Sequence, residues 1–207
     1  MKKRKSEKAK SKKQKKKSNW LAKQYRQSWK YIKETKIHIL IILITFILFI
    51  LLGFLFPIFF EELILEFLEG LSKQIEGLDF FSLLRFILIN NIKTSFLGVL
   101  LGIILGIVPI LNTIVNGYVL GFIGRKSVEI AGPSILIRLL PHGIFEIPAL
   151  ILSLALGLKL SGWVLAKDKK YYLLHTIKNS LKVFIFIILP LLIIAGIIET
   201  SLMFFLN

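Results

Sequence analysis

The chain has 207 residues, is 55% hydrophobic and carries a formal net charge of +16. Residues 1–36 hold 16 of the 28 Lys/Arg and only two acids, Glu7 and Glu34, so the rest is apolar and nearly neutral. That body has too little polar surface for a soluble globular domain, and the lack of cysteine excludes disulfides, thiolate metal sites and Cys nucleophiles.

In chain order, residues 1–17 read as a disordered, Lys-rich cytoplasmic tail. Anionic lipid suits it better than nucleic acid, because no folded reader accompanies the charge and the inner leaflet already attracts it. Residues 18–36 read as an interfacial amphipathic helix. Leu21, Tyr25, Trp29 and Ile32 recur at helical spacing among Lys23, Arg26, Lys30 and Lys33. Residues 37–207 read as a membrane domain. Its first apolar run, 37–60, has no charge and is too long for a cleaved signal, so it reads as a retained anchor.

Residues 61–84 place Ile64, Phe67, Leu68, Leu71, Ile75 and Leu78 on one stripe opposite acids, a second interfacial helix. Four more apolar runs follow, at 94–111, 114–130, 135–156 and 183–206. Arg125, Lys126 and Glu129 interrupt the third span, which suggests a short or re-entrant segment. The expected fold is all-α, a polytopic membrane helix bundle. It has about five spanning or partly re-entrant helices plus two interfacial amphipathic helices. A sixth crossing near 157–168 is the alternative count.

Lys/Arg bias sets the expected orientation. The basic tail belongs inside, the six acids between Glu61 and Asp79 outside, and the six lysines of 159–182 inside. Five crossings satisfy all three, with the N-terminus cytoplasmic and the C-terminus outside the cell membrane.

Small residues mark expected helix contacts. Gly98, Gly102 and Gly106 repeat every fourth position, as do Gly117 and Gly121. In lipid, helices associate through close backbone approach, which glycine permits. The short link at 109–113 suggests that the two glycine runs pack on each other in a hairpin.

Ionisable groups at membrane depth face protein, water or each other. Arg138, His142 and Glu146 stand at i, i+4 and i+8, while Pro141 and Pro148 suggest a broken helix. With Asn116 and Glu199 they form the candidate polar cluster. It is either a structural lock or a ligand or ion site of the kind transporters build at helix breaks. His-x3-Glu alone supplies too few ligands for zinc, so no metal is expected. No nucleophile elbow, zincin pair or phosphate loop is present, so neither catalysis nor a cofactor is expected.

The chain resembles the stage II sporulation protein M family of multi-span membrane proteins. The resemblance rests on Asn90-Asn91, the Gly98/Gly102/Gly106 run and the segment from Asn116-Gly117 to Gly121. It continues through the Pro141-His142-Gly143-x-x-Glu146-x-Pro148-Ala149 box, Gly157-Leu-Lys-Leu, and Ala195-Gly196-x-x-Glu199. The Lys-rich tail lies outside that pattern. The resemblance implies a membrane scaffold, which in spore formers serves a complex of cell-wall-degrading proteins during engulfment. The expected function is a non-enzymatic scaffold or assembly component of a membrane complex; the alternative is a transporter or permease subunit binding a small solute or ion at the polar cluster. Expected partners are the bilayer, anionic lipid at the tail, protein subunits and, as one arrangement, a second copy of the chain.

Overall fold

The computed structural model describes residues 19–205, apart from the side chains of 137–142; the Lys-rich segment 1–17 lies outside the described residues. Helix α1 covers 19–34 and turns at Thr35 into α2 (Lys36–Leu55). Helix α2, without formal charge beyond Lys36, ends just before Phe56-Pro57, where proline disfavours helix at the residue preceding it. Phe60 then takes a left-handed conformation, φ 59°, and opens α3 (Glu61–Ile75). Glu61 and Glu62 fill the first turn of α3, where the helix dipole favours negative charge.

The single stripe expected over 61–84 is two helices. Gly77, at φ 72°, breaks it. Asp79 then starts α4 (Phe80–Leu100) by accepting hydrogen bonds from the Phe81 and Ser82 N–H groups, at 2.9 and 3.1 Å. A 3-10 turn, Leu101–Ile103, extends α4, so this span is Phe80–Ile103 rather than 94–111. The helix admits Arg85, Asn90 and Lys93, the polar residues that hide its start in an apolar window.

Chain reversal occurs at Leu105 (φ 52°) and Gly106 (φ 73°), ahead of the expected link at 109–113. Pro109 and Thr113 lie inside α5 (Ile107–Ala131), with Pro109 in the first turn that proline tolerates.

Helix α6 (Ile135–Leu160) runs unbroken through Pro141 and Pro148, so the expected helix break is absent. Neighbouring helices can absorb a proline in such a setting. The 3-10 turn Ser161–Leu165 follows, and no sixth crossing occurs there. Asp168 caps α7 (Lys169–Val183), accepting from Tyr171 N–H at 2.9 Å. A π-helical turn, Phe184–Ile188, joins α7 to α8 (Leu189–Phe205) in one uninterrupted 37-residue helix.

Among the described residues, five helices are long and apolar enough to span a membrane. Helix α6 is their hub. It packs against α2 and α5 on one side and α4 and α8 on the other. Ile42 and Phe46 of α2 meet Ile151, Leu154 and Ala155 of α6 in one core. Val99, Ala149, Leu156, Ile188 and Leu192 form the other, with Tyr31 of α1. A helix apolar on all sides can be enclosed in this way.

The glycine runs do not pack chiefly on each other, as the hairpin reading expected. Gly98 and Gly102 of α4 face α6, against Leu154 and the Gly157 backbone. Gly106 lies against Leu158 and Ser161. Gly117 and Gly121 of α5 lie on the α2 backbone at Phe46 and Ile50, where Gly53 answers them against Tyr118. The two runs therefore grip different helices.

Candidate functional site

Of the five candidate polar residues, the described side chains bring two together. Glu146 on α6 and Glu199 on α8 are both half-buried, on two helices that pack against each other. Glu199 Oε2 is shielded from solvent and has no hydrogen-bond partner among the described residues. One turn before Glu199, Gly196 lets α8 lie on Leu88 and Ile87 of α4. Beside it the buried Thr200 hydroxyl donates to the Gly196 carbonyl at 2.7 Å. Two carboxyls in a poorly polarisable interior need a proton or cation for company.

The side chains of Arg138 and His142 lie outside the described residues; their backbone belongs to α6, two turns and one turn before Glu146. Asn116 is taken up within α5, its Nδ2 donating to Asn112 O and Oδ1, both at 2.9 Å. Arg125 of α5 pairs with Glu129 at 2.7 Å. Among the described residues no group of three or more acidic or His side chains gathers as a metal site.

A second polar cluster lies at the opposite end of the bundle, where α1, α6 and α7 converge. Lys159 Nζ stands 3.9 Å from the centre of the Tyr31 ring and donates to Thr35 Oγ1 at 3.2 Å. Tyr172 donates its phenol proton to the Lys159 carbonyl at 2.9 Å. Tyr31 is 4% exposed, and its hydroxyl lies among Thr176 and Ser180 without a well-formed hydrogen bond. Burial pushes its phenol up to about 12. Ser28 Oγ, Ser180 Oγ and His38 Nδ1 are likewise enclosed, without a hydrogen-bond partner among the described residues.

Sequence reasoning missed this cluster. The apolar stripe chosen for α1 is its exposed one, with Leu21, Tyr25 and Trp29 in the open. The docked face is Ser28, Tyr31 and Thr35, held further by Lys182 Nζ to Gln27 Oε1 at 2.9 Å. The available signal was hydroxyl residues at i, i+3 or i+4 on two nearby helices, at 28/31/35 and 176/180.

Among the described residues, five helices long and apolar enough to span a membrane, one of them enclosed by the other four, define a multi-pass integral membrane protein. The family model for SpoIIM, stage II sporulation protein M, matches residues 41–202, and the chain belongs to that family. No curated protein and no solved structure matches the chain.

Proposed function

We propose that this protein is a non-enzymatic scaffold, an assembly component of a membrane complex. The observation that carries this reading is the enclosure of α6 among α2, α4, α5 and α8, with α4 held against it at distances only glycine allows. Such a hub suits a rigid platform better than one repeat rocking against another. Family membership supports it. In this reading the N-terminus is cytoplasmic and the C-terminus outside. The lysines of 159–182 then share the inner face with α1, and the acids of α3 lie outside. Arg125 and Lys126 fit the outer end because Glu129 and Glu61 pair with them.

The unpartnered Glu199 oxygen favours a second reading, a permease subunit that takes a small cation or protonated solute between Glu146 and Glu199. One comparison separates the two. Thermal unfolding of the purified chain is measured with and without sodium, potassium and calcium, for the wild type and Glu199→Gln. The scaffold reading expects no ion-dependent shift in either protein, and a native membrane assembly much larger than 23.7 kDa on gentle solubilisation. An ion-dependent rise in Tm that Glu199→Gln abolishes would favour the permease.

A further inference from the structure

Helix α4 buries Leu83, Ile87, Ser95, Gly98 and Val99 against the bundle. Its opposite face carries Arg85, Asn90 and Lys93, all exposed, flanked by exposed Ile89 and Leu97. These positions recur at helical spacing, so they form one stripe along one side of a spanning helix. Asn90 and Lys93 flank the midpoint of the 24-residue span Phe80–Ile103. About 15 Å of helix separates Lys93 from the nearer end at Ile103, farther than a lysine side chain reaches. Charged groups at that depth face protein or water, not lipid tails.

We propose that this face of α4 receives a transmembrane helix of another protein, one carrying a carboxylate near the bilayer centre. The proposal rests on the scaffold reading and names the surface it uses. Charge supplies the argument. Among the described residues neither Arg85 nor Lys93 forms an ion pair. Of the acids within the spans, Glu129 pairs with Arg125, and Glu146 and Glu199 lie on α6 and α8, which pack against α4. A second copy related by an axis along the membrane normal would set Lys93 against Lys93 at equal depth, which is repulsive. A partner carboxylate would neutralise the ammonium, and the Asn90 amide would add an interhelical hydrogen bond. The shape also suits a helix: a shallow groove of about 470 Å³ runs along the stripe, walled near its upper end by Gln74 and Leu78.

The test reconstitutes the full chain in phosphatidylcholine bilayers with labelled synthetic transmembrane helices of leucine. One has Glu at its centre, one Gln and one only Leu. Energy transfer reports association. The Glu helix is expected to bind about tenfold more tightly than the all-Leu helix. Lys93→Met is expected to erase that preference, and Lys73→Met on exposed α3 to retain it. Thermal unfolding of Lys93→Met verifies that the outward substitution leaves the fold intact. Equal binding of all three helices overturns the proposal, as does a preference that survives in Lys93→Met. So does loss of the preference when phosphatidylglycerol replaces phosphatidylcholine, which would assign the stripe to a lipid headgroup. Self-association of the chain that Lys93→Met abolishes would assign it to a second copy. A large native assembly combined with no Glu preference removes this surface and leaves the scaffold reading standing. A monomeric native protein with the preference intact does the reverse.

Discussion

Gly102 of α4 and Gly157 of α6 meet backbone to backbone, so closely that a β-carbon on Gly102 would strike the Gly157 carbonyl. A contact of the same kind joins α5 to α2, where Gly121 lies on Ile50. Lipid offers no hydrophobic drive for helices to join, so dispersion across such contacts must supply the attraction. Replacing Gly102 with Leu is expected to push α4 from α6 and cost about 1–3 kcal/mol or more, read as a lower Tm in detergent. Gly70 of α3, with nothing near its would-be β-carbon, is the control. Gly70→Ala is expected to stabilise by about 0.5–1 kcal/mol through helix propensity. An unchanged Tm for Gly102→Leu would contradict the account of the hub.

Lys126 of α5 reaches Glu61 at the start of α3, tying the surface helix to the bundle at 2.5 Å. Both side chains are about one-third exposed, so solvent screens the pair. A double-mutant cycle with Lys126→Met and Glu61→Gln is expected to give a coupling of about 0.2–1 kcal/mol that shrinks as salt is added. Coupling of zero at low salt would mean that the pair does not hold α3.

Asp79 sits ahead of α4, and the Ser82 hydroxyl and N–H hold its carboxyl below the ordinary carboxylate range. A lowered folded value means stability that is present above the unfolded pKa and lost as pH falls through the folded one. Acid titration of Tm should therefore show a loss beginning near pH ~4. Asp79→Asn keeps a cap without the charge and should lose that component of the acid slope. An acid slope identical to wild type would remove Asp79 from it.

Tyr31 behaves in the opposite sense. Its phenol is raised to about 12 by burial, so its contribution is full below the unfolded value near 10 and disappears as pH climbs towards 12. Tyrosinate absorbance should reveal a late-titrating phenol that is absent in Tyr31→Phe. That variant also removes a hydroxyl with no well-formed partner and should leave Tm unchanged or higher, whereas Tyr31→Ala should cost about 3–5 kcal/mol. A phenol titrating with the exposed tyrosines would show that α1 is not docked on α7.

Spans and their number were legible in the sequence because hydrocarbon demands long apolar runs, and the start of the first, at 37, was read to within one residue, although its helix ends at Leu55 rather than at 60. The α4 boundary was not, since Arg85, Asn90 and Lys93 dilute the hydropathy of a helix whose other face is packed. Glycine spacing revealed that tight contacts exist, but not which helices meet; Gly102 finds Gly157, which is far along the chain. Glu146 and Glu199 stood out as costly intramembrane charges, and the structure brings them near one another. The Tyr31–Lys159 contact stayed hidden because hydroxyls and a border lysine carry no hydropathy signal. Local pattern reports what a residue must avoid, whereas partnership is decided by tertiary packing.

The π-helical turn at Phe184–Ile188 acts as a phase shifter. It accommodates an additional residue without interrupting the rod, so α7 can address α1 while α8 addresses α4 and α6. Regular α winding of the same residues would rotate everything beyond the turn by about 100° relative to α7. Glu199 would swing away from Glu146, or α7 would lose its grip on Tyr31. The two polar clusters, at opposite ends of the bundle, are thus geared through a single turn of backbone.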